Sequence, residues 1–132
     1  MSKLVTTSSD PQWIIDLNWL KTNRRSFTIL TRGALCPKCR KKLKADTQDV
    51  NAAELLKTIQ SCCSKADDFI TPRLPFQEAI FRVFLTTGNK PMTLIELGDE
   101  MKRRRGPDGA KNSPEFLARV LRNDTYYGVR PK

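Results

Sequence analysis

The chain has 132 residues, with 24 Lys and Arg against 14 Asp and Glu, four cysteines and no histidine. That length allows one modest domain or two very small ones, each with a thin core that would gain from a staple or from docking together. No apolar run approaches the roughly 20 residues of a membrane span, and a net charge of +10 points instead to polyanionic partners.

The charge is unevenly spread. Residues 21–44 hold nine Lys and Arg and no acid, residues 45–100 hold five basic and nine acidic residues, and residues 101–132 hold nine basic and three acidic. Two basic blocks thus flank an acidic middle, a distribution suited to nucleic acid, anionic lipid or an acidic protein. The opening stretch, MSKLVTTSS, is polar and lacks the apolar segment of a secretory signal. The expected location is the cytoplasm, where cysteines stay reduced or bind metal rather than pair.

In chain order, Asp10-Pro11 offers an N-cap acceptor followed by proline, a helix start. Trp13, Ile14, Leu17 and Leu20 then recur at helical spacing, which predicts a helix ending near Lys21–Asn23. Trp13 and Trp19 read as packing aromatics rather than base-stacking ones. SFTIL, residues 26–30, reads as a short strand leading into a Cys36–Cys39 turn. A second helix is predicted from Asp49 to about Cys62, its stripe made of Ala52, Leu55, Leu56 and Ile59. Residues 64–75 contain two prolines and two acids and read as a linker. The boundary, residues 67–74, separates a subdomain of residues 1–66 from one of residues 75–132.

The second half is cleaner. Pro75 opens a helix with Phe76, Ala79, Ile80, Val83 and Phe84 on one face, closed by Gly88. NKPM is a short extended piece, and Thr93-Leu-Ile-Glu96 is a capping box for the next helix, with Leu94, Leu97 and Met101 inward. That helix runs into Lys102-Arg-Arg-Arg105 and stops at Gly106-Pro107. Ser113-Pro114-Glu115 starts a third helix with Leu117, Val120 and Leu121 inward, and TYYGVR closes as a strand.

Helix, short strand, helix, loop, helix, strand is the order of a winged helix-turn-helix. The stretch GNKPMTLIELGDEMKRRRG…NSPEFLARVLRNDTYYGVR resembles the HARE-type winged-helix family over about residues 75–131. It departs from a tight helix-turn-helix in its longer loop, roughly residues 105–112, and leaves little room for a second wing strand. The resemblance implies a third helix in the DNA major groove. Its outward positions would be Glu115, Ala118, Arg119 and Arg122, with Asn123 at the end. Arg119 and Arg122 share a face and could meet guanine edges or phosphates. Lys111 and Asn112 precede the helix, and Arg103, Arg104, Arg105 and Arg130 would add backbone contacts. Glu115 opposes such docking, although it suits the helix N-terminus. Winged helices also dock proteins, so that role stands beside nucleic-acid binding.

The first half turns on its cysteines. With no histidine, Cys36, Cys39, Cys62 and Cys63 are the thiolates for a metal, and four is the number a structural zinc takes. Cys-Pro-Lys-Cys resembles half of a zinc ribbon or treble-clef knuckle, with Arg40 where glycine commonly follows. Cys62-Cys63 is vicinal, and both sulfurs can face one metal only at a helix end or turn. Lys38, Arg40, Lys41, Lys42 and Lys44 would decorate the knuckle as a second polyanion surface, and with Lys65 would offset the charge of a four-thiolate centre. Inert buried thiols or a redox dithiol at Cys36 and Cys39 are the alternatives.

No P-loop, G-x-G-x-x-G, G-x-S-x-G or HExxH occurs, and the usual neutral general base is missing. Asp67-Asp68 reads as a solvated pair. The expectation is a non-enzyme that is mainly α with short β elements: a helical zinc-binding subdomain followed by a winged helix-turn-helix. Its expected cofactor is zinc. Its expected partner is nucleic acid, DNA ahead of RNA, in a role such as transcriptional regulation; the alternative is a protein-docking adaptor or accessory subunit.

Overall fold

The computed structural model describes residues 11–43, 51–106 and 112–132. Within them the chain is mainly α, with one small sheet. Trp13 and Ile15 are buried while Gln12 is exposed and Ile14 half-buried, so β1 (Gln12–Ile15) has the period of two of a strand. This corrects the helix expected from Asp10-Pro11 onward. Trp13, Ile14, Leu17 and Leu20 do satisfy helical spacing, but residues 12–15 find backbone partners on both sides in a sheet. The helix begins only at α1 (Leu17–Thr22), where the Trp19 N–H donates to Asp16 Oδ1 at 3.0 Å.

SFTIL is also not a strand. Ser26 caps α2 (Phe27–Arg32) by accepting from the Ile29 N–H at 3.1 Å, and this local bond wins over the strand preference of Phe, Thr and Ile. Then follow α3 (Pro37–Leu43), α4 (Ala52–Ser61) and a short 3-10 turn at Cys63–Lys65. Asn51 caps α4, its Oδ1 accepting from Ala53 and Glu54. The predicted start at Asp49 lies outside the described residues.

The expected linker is packed rather than free. Phe69 and Ile70 are buried, and two arginines tie the segment's main chain to the helices. Arg82 donates to the Phe69 carbonyl at 2.9 Å, and Arg105 donates to Thr71 and Leu74 carbonyls at 2.8 and 2.7 Å. Buried carbonyls need such partners where no helix or sheet supplies them.

The second half follows its pattern. It comprises α5 (Phe76–Thr86), β2 (Met92–Thr93), α6 (Leu94–Arg105), α7 (Pro114–Arg122) and β3 (Val129–Pro131). The capping box is complete: Thr93 N–H donates to Glu96 Oε1 at 2.8 Å, and Glu96 N–H to Thr93 Oγ1 at 3.2 Å. Ser113 caps α7 by accepting from Phe116 N–H. TYYGVR is strand only from Val129; residues before it form a loop.

The sheet has the order β2-β1-β3, with both pairings antiparallel. Trp13 lies opposite Met92 on one side and Pro131 on the other. The N-terminal strand therefore sits between two strands of the C-terminal half. Asn89, at φ 68°, pins the sheet to the end of α5: its Oδ1 accepts from Ile15 N–H at 2.9 Å and its Nδ2 donates to Ile15 O at 3.0 Å. Buried residues from Trp13 to Val129 form one cluster around α5, with Phe81 packed against Phe27 at 6.2 Å and Tyr127 at 5.0 Å between ring centroids.

Gly98 lets α6 and α7 approach. A Cβ there would collide with the carbonyl oxygen of Asn112, a main-chain atom with no rotamer to escape into. Gly98→Ala is expected to destabilise the fold by about 1–3 kcal/mol through overpacking, despite alanine's better helix propensity. Denaturant titration checks this; a neutral or stabilised variant would show that the α6–α7 approach is loose.

Candidate metal centre and basic faces

Cys36 directly precedes α3, with Pro37 as the first helical residue, where its missing N–H is harmless. The thiol sits where a capping side chain would, and the Cys39 N–H donates to its sulfur. Cys39 lies inside the first turn of α3 and is buried, so the expected Cys36–Cys39 turn is a helix start. On the other side, α4 ends at Ser61. Cys62 leaves helical geometry, at φ −128° and ψ −70°, and Cys63 opens the 3-10 turn. That break turns two adjacent side chains toward the same point, which a continued helix, with neighbours about 100° apart, could not do.

The four sulfurs lie within 4.8 Å of one another. Cys36 Sγ is 3.8 Å from Cys62 Sγ and 3.5 Å from Cys63 Sγ, and the Cys36 N–H donates to Cys63 Sγ at 3.3 Å. A tetrahedral Zn–S distance of about 2.3 Å requires sulfurs about 3.8 Å apart, so the donor set fits that geometry. Two backbone N–H groups already point at sulfur, as stabilised thiolates require. The vicinal pair and the Cys-Pro-Lys-Cys pair thus converge into one cluster close enough to hold a metal ion.

The electrostatics favour a cationic occupant. The Cys39 N–H, followed by the Cys63 thiol, pulls the Cys36 pKa down to about 7. Burial pushes Cys39 and Cys63 upward. Two buried thiols that resist ionisation on their own become thiolates once a divalent cation balances their charge. Four small hydrophobes could be buried without convergence; here four sulfurs from segments 26 residues apart meet closely enough to hold a metal ion.

The predicted basic contacts divide. Lys38, Arg40 and Lys41 are exposed beside the cluster, with Arg40 donating to the Leu35 carbonyl at 3.1 Å. Lys65 is also exposed. The Lys42 side chain, Lys44 and Lys111 lie outside the described residues. On α6, Arg103 and Arg104 share the Glu100 carboxylate at 2.6 and 3.2 Å. Burial there is outweighed by the two guanidinium groups, which hold Glu100 below its ordinary pKa. Arg105 is turned onto Phe76 and the 71–74 carbonyls. Arg130 donates to the Asp124 carbonyl and lies over Trp19 at 5.3 Å. Both are occupied internally, so neither is free in the way the basic runs suggested. Asn112 is half-buried at the α6 approach.

Arg119 and Arg122 differ. They are exposed on the outer side of α7, whose Leu117 and Leu121 are buried, and neither is in an ion pair among the described residues. Glu115 is also exposed, at the other end of the helix.

Asp124 was not singled out by its sequence context. It is buried, and its carboxylate accepts from four backbone N–H groups, those of Tyr126, Tyr127, Gly128 and Val129, at 2.9–3.3 Å. The Asn-Asp pair after a helix was the available sign of such a turn. Compared with protein-family models, curated proteins and solved structures, the chain matches none.

Proposed function

We propose that the protein is a zinc-stapled, winged-helix-like module that binds duplex DNA, with α7 as its reading helix. The observation that carries this is the outer face of α7, where Arg119 and Arg122 stand exposed three residues apart while the apolar side is sealed in the core. Two guanidinium groups on one helical face match the acceptors of guanine edges and phosphates. Zinc at Cys36, Cys39, Cys62 and Cys63 has a structural role in this reading. Four thiolates fill a tetrahedral site and leave no position for a reactive water. The zinc holds α3 against the end of α4, and the exposed Lys38, Arg40 and Lys41 beside it add to the positive field that draws DNA in.

Fluorescence anisotropy with short duplexes across a salt series tests the reading. Affinity is expected to fall steeply with salt as phosphate counterions are released. The double variant Arg119→Ala/Arg122→Ala should bind about tenfold or more weakly, since each such contact is worth roughly 1–3 kcal/mol. Absence of salt-dependent binding at low ionic strength would remove the DNA reading and favour a protein-docking role.

A further inference from the structure

The C-terminus of α1 departs from local preference. Arg25 N–H donates to Leu20 O at 2.7 Å and Arg24 N–H to Lys21 O at 3.1 Å, the paired bonds that end a helix in a Schellman motif. The motif places its penultimate residue in the left-handed region, which glycine usually fills because a Cβ is disfavoured there. Here Arg24 holds that position at φ 60°. Its side chain is exposed and takes part in no ion pair among the described residues. A residue that breaks a local rule without a visible compensating contact is where function is expected to reside.

The turn is locked onto the loop that follows α7. Arg25 donates to the Thr125 carbonyl at 3.2 Å, and its guanidinium lies over Tyr126 at 4.9 Å. Asp16 N–H donates to the Gly128 carbonyl at 2.8 Å, and Arg130 covers Trp19, so α1 is tied to the 124–130 segment at two further points. Gly128, at φ 76°, allows Leu20 to approach where any Cβ would meet it. The Asp124 carboxylate is consumed by four backbone N–H groups beneath the surface, and that of Asp16 caps the other end of α1. Lys21 and Arg24 are exposed on this element, whose turn is held to Thr125 and Tyr126, three and four residues past the exposed Arg122 that ends α7.

We infer that the α1–α2 turn is a phosphate clamp flanking α7, in which Arg24, supported by Lys21, grips the DNA backbone next to the segment that α7 reads. It rests on the proposed DNA reading and extends it to a part of the chain outside the helix-turn-helix. Arg25 is a positioning residue, holding the turn on the 125–126 loop.

The experiment is Arg24→Gly, with Arg24→Lys alongside, in the full chain. Glycine suits the left-handed position, so Arg24→Gly should melt a few degrees higher than the parent. It should nevertheless bind duplex DNA several-fold more weakly, flatten the log–log salt dependence by about 0.9 for one lost phosphate contact, and keep the same sequence preference. Arg24→Lys should retain the slope. Higher stability with weaker binding separates a clamp from a purely structural role. Parent-like affinity and slope in Arg24→Gly, with Arg119→Ala/Arg122→Ala still impaired, would overturn the clamp and leave the reading helix standing. A changed sequence preference in Arg24→Gly would overturn the backbone grip in favour of a base contact. No salt-dependent duplex binding by the parent would overturn both together.

Discussion

Cys63→Ala should release the metal and lower stability by several kcal/mol, on the order of 5, well beyond what loss of a small buried side chain explains. Cys63 is 1 % exposed, and as a plain hydrophobe its truncation would cost about 1 kcal/mol. In the proposed zinc site it is one of four thiolates, and binding energy there would be folding energy, because the unfolded chain holds no preformed cluster. Native mass spectrometry should show one zinc on the parent and none on the variant, with a matching drop in Tm. A variant that melts within a degree or two of the parent and never carried metal would return the cysteines to inert core.

The pH dependence has a defined sign. Without metal, Cys39 and Cys63 are raised above 9.0 by burial and therefore protonated at neutral pH, while Cys36 titrates near 7. Metal binding must expel at least those two protons, so apparent affinity should fall at least about 100-fold per pH unit on acidification, and at least about 1,000-fold per unit once Cys36 also protonates below pH 7. The stability contributed by metal is thus present at neutral and alkaline pH and lost as pH falls. Metal release against a chromogenic chelator, followed from pH 8 to 5, measures that slope; a slope near zero would contradict thiolate ligation.

Asp124→Ala should be the most damaging change away from the cysteines, at about 4 kcal/mol. It strips acceptors from four backbone N–H groups, two of which belong to the buried residues Gly128 and Val129. An unsatisfied buried donor costs roughly 1–3 kcal/mol, and partial access to water at Tyr126 and Tyr127 reduces the sum. Asp124→Asn should recover only part of this. One amide oxygen can serve two of the N–H groups, but its NH₂ then faces the other two donors. Urea titration should show a lower midpoint with an unchanged m-value. A loss below about 1 kcal/mol would mean that solvent reaches these groups and that the loop is not held by the carboxylate.

Where the sequence was legible, one strong signal acted locally. The Thr93–Glu96 capping box, the Ser113-Pro114 start and the apolar stripes of α5 and α7 each depend on residues within a turn or two of one another. The four-cysteine cluster was legible because histidine is absent, leaving four sulfurs as the soft donors, and because a vicinal pair demands a helix break. Residues 12–15 and 26–30 were not. Trp13, Ile14 and Leu17 fit either period over so short a window, and partners roughly 80 and 120 residues away decided for the strand. In SFTIL a single serine cap outweighed β-branched residues. Composition could not reveal that Arg105 and Arg130 face inward, since a guanidinium that satisfies carbonyls has the same sequence signature as one that meets phosphate. Nor could it show that Arg24 adopts a glycine conformation, which depends on how α1 ends.

The placement of β1 between β2 and β3 has a kinetic consequence. Its partners lie at residues 92–93 and 129–131, so these ladders require closure of very long loops before they return any hydrogen bond. The helices α5, α6 and α7 are joined by short connections and can assemble early. Until β1 arrives, Met92 and Val129 sit beside unpaired strand edges, the exposure that invites association with other chains during refolding. The central strand is thus expected to be the last element to dock. In a Trp19→Phe background, Trp13 fluorescence should change in the slowest refolding phase, after the helical signal has recovered.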